Sequence, residues 1–236
     1  MTQPTTQLPR TPRARVITGT AAEQELRTMG LTPSRLTRPC IEGLQSAVAG
    51  YSHFEPAIAF GISIWSKIVG ALRKQLDNEG WRHHDIANAP RSVSPDGTTA
   101  IAAVGGDPQT ANTDSDPRNA RTKGPRFANE IENNAATSSA PRYTQCQLNL
   151  GPGDEDTVFA DLQTWVLLYF WDRASNELRL ELSLPIDCSK GFVTQWETRI
   201  ILPIQDLSGY TDLTFGDGMR TYAATQDVDF EITAIS

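Results

Sequence analysis

Between Phe54 and Gly80 apolar residues return every three to four positions: Ile58, Ile62, Trp65, Val69, Leu72 and Leu76. That period predicts one long amphipathic helix with these six side chains on its buried stripe, broadened by Ile64 and Ile68. The other side carries Lys67, Arg73, Lys74, Gln75 and Asp77 in the second half. Its first half, with Phe60, Gly61 and Ile64 nearby, is apolar enough to serve as a self-association surface. Gly80 is the expected C-cap.

Ahead of this helix, residues 1–20 read as a flexible basic arm bearing Arg10, Arg13 and Arg15. Two short helical pieces follow, Ala21 to Met29 and Pro39 to Ala49, closed by Gly30 and Gly50, with a further start at Leu31-Thr32-Pro33-Ser34. After Gly80 the period falls to two. Trp81 to Ile86 predicts a short strand, and Arg91 to Ser94 and Thr98 to Val104 a hairpin turned by Pro95-Asp96-Gly97. Residues 105–125 form a long irregular loop, and Phe127 to Ala136 one short helix. Thr137 to Pro141 reads as a linker and Tyr143 to Leu150 as a weakly alternating strand.

Trp165 to Trp171, nearly all apolar, predicts a strand covered on both faces. Leu178, Leu180, Leu182 and Leu184 alternate with Glu177, Arg179, Glu181 and Ser183, giving one buried and one wet face, and Pro185 ends the strand. Trp196 to Leu202 is a strand stopped by Pro203, and Val228, Phe230 and Ile232 lie on a last one. The fold class is therefore α+β: a mainly antiparallel sheet of about five to seven strands with one long amphipathic helix packed on it. Residues 21–236 form a single domain, and helices early with strands late argue against a doubly wound parallel sheet.

Charge sharpens this picture. The chain of 236 residues carries −7, which disfavours a polyanionic partner in bulk, yet residues 1–40 set six Arg against Glu23 and Glu25. Arg outnumbers Lys 17 to 4, a bias that points to a bacterial source. Cys40, Cys146 and Cys188 show neither metal spacing nor a disulfide framework, which fits a reducing cytoplasm. No apolar leader and no membrane span is expected, because Ser63, Ser66, Lys67 and two Gly interrupt the apolar run.

No complete catalytic set is present: no Gly-x-Ser-x-Gly elbow, no phosphate-binding loop and no dinucleotide fingerprint. The expected cofactor is none. His83-His84-Asp85 lies on a strand whose neighbours face opposite ways, so the two imidazoles do not chelate together. Asp107, Asp114 and Asp116 are an alternative cation set, without the spacing of a calcium loop. Asp96, Glu177 and Glu181 are the alternative catalytic carboxylates, although alternating Leu makes the last two expected solvent-facing charges. Pro95-Asp96 before a strand, with Glu177-Leu178-Arg179 later, distantly resembles the pattern of the restriction-endonuclease-like nucleases. That resemblance implies metal-dependent hydrolysis, with Arg179 standing where the family has Lys; an arginine stays protonated and cannot serve as base.

The long loop runs from Asp107 to a basic end with Arg118, Arg121, Lys123 and Arg126, and these five are the expected binding residues. The reading is a non-enzymatic binding or accessory protein of a bacterial multi-component system, acting in the cytoplasm through a protein contact. A homo-oligomer is allowed, and nucleic-acid binding through the arm is a third reading. The alternative is a metal-dependent hydrolase or nuclease-like protein using dispersed Asp and Glu residues.

Overall fold

The computed structural model describes residues 13–86, 89–139, 162–210 and 213. The strands expected at Tyr143 to Leu150 and around Val228 to Ile232, and the arm's residues 1–12, lie outside the described residues. Elements run β1 (Arg15–Ile17), α1 (Gly19–Thr28), α2 (Pro33–Ala49), α3 (Ala57–Asp77), β2 (Arg82–Ile86), β3 (Ala89–Val93), β4 (Thr99–Gly105), α4 (Pro125–Ser139), β5 (Gln163–Asp172), β6 (Glu177–Ser189), β7 (Phe192–Ile201) and β8 (Gln205–Asp206).

The fold is mixed α and β, with an eight-stranded, mostly antiparallel sheet in the order β1-β7-β6-β5-β4-β3-β2, and β8 beside β6. β4–β5 and β1–β7 are the parallel pairings among the described strands. The β3–β4 hairpin forms where expected: Gly97 takes φ +74°, and Asp96 Oδ1 accepts from the Ser94 hydroxyl at 2.5 Å and from Thr98 N at 3.1 Å. Those hydrogen bonds hold the Asp96 carboxyl below the usual carboxylate range.

Alternation along β4 and β5 sends side chains to two separate cores. Ile101, Ala103, Trp165 and Leu167 join a cluster with Leu36, Leu44, Ile64 and Ile68 of α2 and α3. Ala102, Val104, Val166 and Leu168 pack with Phe127 and Ile131 of α4. Helices thus cover both faces, and α4 lies in the crossover from β4 to its parallel neighbour β5.

Four expectations are corrected. The short helical pieces after Gly30 merge into one helix, α2, that carries Pro39 inside it. Pro39 is buried in the packed face, so packing offsets the hydrogen bond that proline removes. Pro185 does not end β6; the strand runs to Ser189 with a register irregularity beside Pro185, where a missing N–H is tolerated. The basic arm stops short of residue 20, because Arg15–Ile17 pair with β7.

The fourth concerns α3, which is not the single helix carried by the sheet; it shares its core with α1 and α2. Its buried stripe is rotated from the expected one. Phe60, Ile64, Ile68, Leu72 and Leu76 are buried, whereas Ile62 is 49% exposed and Ile58, Trp65 and Val69 are half-buried. The cause is the crossing of α2. A Cβ on Gly43 would sit 2.6 Å from the backbone of Ile68, so α2 rests directly on α3 at that point. Phe60 and Ile64, expected as an association surface, are used inside this packing.

Candidate functional site

The apolar side chains of α3 left over by that rotation line a cleft. Its volume is about 460 Å³, and its walls come from α3 (Ile58, Gly61, Ile62, Ile64, Trp65), the C-terminal ends of β4 and β5, and residues 120–123. The outer ends of neighbouring parallel strands are where open α/β sheets leave a crevice. Gly105 of β4 and Tyr169 of β5 are register partners there. Helix α3 begins beside the cleft with no side-chain cap and no acidic residue in its first turn, so its dipole adds a partial positive charge.

Four aromatic residues line the cleft, Trp65, Tyr169, Phe170 and Trp171. Trp65 is anchored by its indole N–H to Ala103 O at 3.2 Å. Tyr169 is part-buried at the cleft wall, and burial pushes its hydroxyl well above the ordinary phenol range. Trp171 carries the Arg173 guanidinium 5.1 Å from its ring centre, and the same guanidinium lies 5.4 Å from the Phe60 ring. Burial lowers the Arg173 pKa.

The charged wall is built by a clamp. Asn119, 2% exposed, donates from Nδ2 to Arg121 O at 2.7 Å and to Gly191 O at 2.8 Å, while its Oδ1 accepts from Val193 N at 2.8 Å. Lys123 N donates to Gly191 O at 3.0 Å. Gly191 takes φ +78°, and a Cβ there would meet Lys123 O at 2.7 Å, so only glycine fits. This ties residues 119–123 to the β6–β7 turn and delivers Arg121 and Lys123 to the cleft. The Arg121 guanidinium reaches α3, with Nη2 3.3 Å from where a Gly61 Cβ would stand. Among the described residues neither Arg121 nor Lys123 has a carboxylate ion-pair partner. Burial, with Arg91 and Arg121 as like-charged neighbours, pulls the Lys123 ammonium down to about 8.

The remaining expected binding residues lie apart from this wall. Asp107 Oδ1 accepts Gln109 N at 3.0 Å, Arg118 lies 5.8 Å over the Phe192 ring, and Arg126 pairs with Glu130 at 3.4 Å. The segment 105–125 is a laid-down cover rather than a free loop: Asp107 N bonds Arg118 O, Ala120 N bonds Gly105 O, and Trp196 donates its indole N–H to Pro117 O.

The alternative carboxylates are dispersed. Asp96 holds its turn, and Glu177 pairs with Arg179, which also meets Asp172 at 2.9 Å. Glu181, expected on a wet face, is fully buried under the 105–125 cover and bonded to Arg199. Asp116 contacts Arg199 at 3.3 Å, and Asp114 N is held by Asn112. Among the described residues no three His, Cys, Asp or Glu are gathered as a metal ion needs. Cys40 is buried, its thiol pushed up to about 12, which makes it unreactive. No described helix is long and apolar enough to cross a membrane.

Sequence reasoning named Arg121 and Lys123 but missed Trp65, Tyr169, Asn119, Gly191 and Arg173 as parts of one site. Gly61 inside α3 was the available signal, since a helix-interior glycine costs about 1 kcal/mol and marks a close approach where one exists, here that of Arg121. Compared with family models, with characterised proteins and with solved structures, the chain matches none.

Proposed function

We propose that this is a non-enzymatic binding protein that acts through a protein contact made at the cleft. The observation that carries the reading is the pair Arg121 and Lys123, held without a carboxylate partner among the described residues, in a pocket whose other lining is mainly apolar and aromatic, with Thr122 and the ring-bound Arg173 beside them. Holding two adjacent cations part-buried is unfavourable unless an anion arrives. The half-exposed Ile62 and exposed Thr122 leave the rim open, which suits an occupant that continues beyond the cleft. A role as accessory component of a larger system is consistent with a chain whose candidate reactive groups are dispersed.

The experiment is a peptide array probed with the full chain and with Arg121→Glu and Lys123→Glu. Peptides of net negative charge should be retained by the parent chain and released by both variants, whereas Arg38→Glu, on the far side of α2, should leave the profile unchanged. Retention that ignores peptide charge, or that survives both reversals, would end this reading.

A further inference from the structure

We propose that the cleft receives one aromatic side chain of a partner protein together with a carboxylate adjacent to it in the partner's sequence; this rests on the reading of the cleft as a protein contact. The ring is received by Trp65, Tyr169 and Trp171, and the carboxylate by Arg121 and Lys123.

Size supports a compact two-part occupant. The cleft volume of about 460 Å³ lies in the range of roughly 300–1,000 Å³ found for organic-ligand sites. One ring fills only part of that space. The residual space adjoins the cationic wall, where an ionised group is favoured. Shape supports a ring over an aliphatic chain, because ring faces and edges on the wall match a ring by offset or edge contact. Arg173, spread between the Phe60 and Trp171 rings, adds a cation at the aromatic side, toward which the negative face of an incoming ring is attracted.

Charge supports a carboxylate specifically placed. Arg121 is planar and leans against Gly61, where no side chain intervenes, so its fork can meet two oxygens at once. Lys123 is anchored through its backbone N–H to Gly191. Acid and ring must therefore be neighbours in the occupant, since both walls bound the same cleft. The chain's own Asp229-Phe230-Glu231 has this order, so a second copy is an occupant that the test must separate.

The test is fluorescence anisotropy of labelled short peptides with the full chain. The core Asp-Phe-Glu is compared with Asp-Ala-Glu and with Asn-Phe-Gln, beside free 1-naphthoate as competitor. Asp-Phe-Glu should bind about tenfold more tightly than either control. Arg121→Ala should remove most of the advantage over Asn-Phe-Gln; Lys123→Met is the second variant, should the first not fold. If Asp-Ala-Glu binds equally, the ring is not read: this inference fails while the broader protein-contact reading stands. If Asn-Phe-Gln binds equally, or no peptide binds, both fail. Naphthoate binding as tightly as the best peptide would make the cleft a small-molecule site and overturn the proposal. Light scattering that shows self-association abolished by Arg121→Ala would make a second copy the occupant and likewise overturn it.

Discussion

Arg199 of β7 and Glu181 of β6 form an ion pair, Nη2 to Oε2 2.6 Å, in which both side chains are wholly buried. They sit on the same face of the sheet, two residues out of register, since Arg199 lies opposite Ser183 and Glu181 opposite Ile201. The pair organises the 105–125 cover. Arg199 donates to Ser115 O at 2.8 Å and Asn112 O at 3.0 Å, and Glu181 Oε2 accepts Ala111 N at 2.8 Å. Two side chains on adjacent strands thus hold three backbone groups of a segment about seventy to ninety positions away in sequence.

Removing Arg199 leaves the Glu181 carboxylate buried without its ion-pair partner, whereas Arg199 would still meet Asp116 at 3.3 Å if Glu181 were removed. Arg199→Met should lose about 3–5 kcal/mol in urea unfolding. The double variant with Glu181→Leu should lose less than the summed single losses, because no isolated charge remains. Amide hydrogen exchange at residues 111–116 should quicken in either variant. A loss under about 1 kcal/mol for Arg199→Met would show that the pair does not organise the cover.

Asn119→Leu would strand the carbonyl of Arg121 and the N–H of Val193, and would leave the Gly191 carbonyl with Lys123 N as its remaining donor. The expected cost is about 1–3 kcal/mol for groups left without partners. Because the same clamp aims Arg121 and Lys123, anion binding at the cleft should weaken as well. Asn119→Asp keeps the acceptor and loses the donors, so it should retain the Val193 bond and still loosen residues 121–123. Equal thermal midpoints for parent and Asn119→Leu would contradict the clamp.

Gly43→Ala tests the crossing of α2 over α3. The added methyl meets backbone atoms of Ile68 at 2.6 Å, which cannot rotate away as a side chain can. The helices must separate, and overpacking of this kind costs about 1–3 kcal/mol. In an exposed helix interior the same change would stabilise, so the sign of the midpoint shift is decisive.

Lys123 makes stability depend on alkaline pH. Its ammonium is held to about 8 against an ordinary 10.5, so below pH 8 the folded chain carries a charge that burial and Arg91 and Arg121 disfavour. Between about 8 and 10.5 the unfolded chain binds the additional proton, and stability must rise with pH through that window. Lys123→Met should abolish this rise and unfold at a higher temperature than the parent at pH 7. Anion binding by the parent should weaken over the same window, as the ammonium loses its proton. Parallel curves for parent and variant from pH 7 to 10 would refute the assignment.

Much of the secondary structure was legible in the residues. The Pro95-Asp96-Gly97 turn, the apolar run that became β5 and the alternating Leu of β6 each follow from interactions within a few positions. Two of the charged members of the cleft, Arg121 and Lys123, were also visible, since they stand at the basic end of the 105–125 loop. Pro39 and Pro185 misled because packing and a strand irregularity absorb a missing N–H, and neither is local information.

What the chain determined alone was which residues alternate, turn and repeat, because those patterns act over one or two turns of backbone. What only the tertiary structure decided was which faces are covered. Leu alternation places Glu181 opposite the main core, but only the distant 105–125 segment makes that opposite face dry. The apolar pattern of α3 contains two faces, one for the core and one for the cleft, and only the approach of Gly43 to Ile68 chooses between them. Burial depends on contacts between residues far apart in sequence, and the period of any single segment carries no record of them.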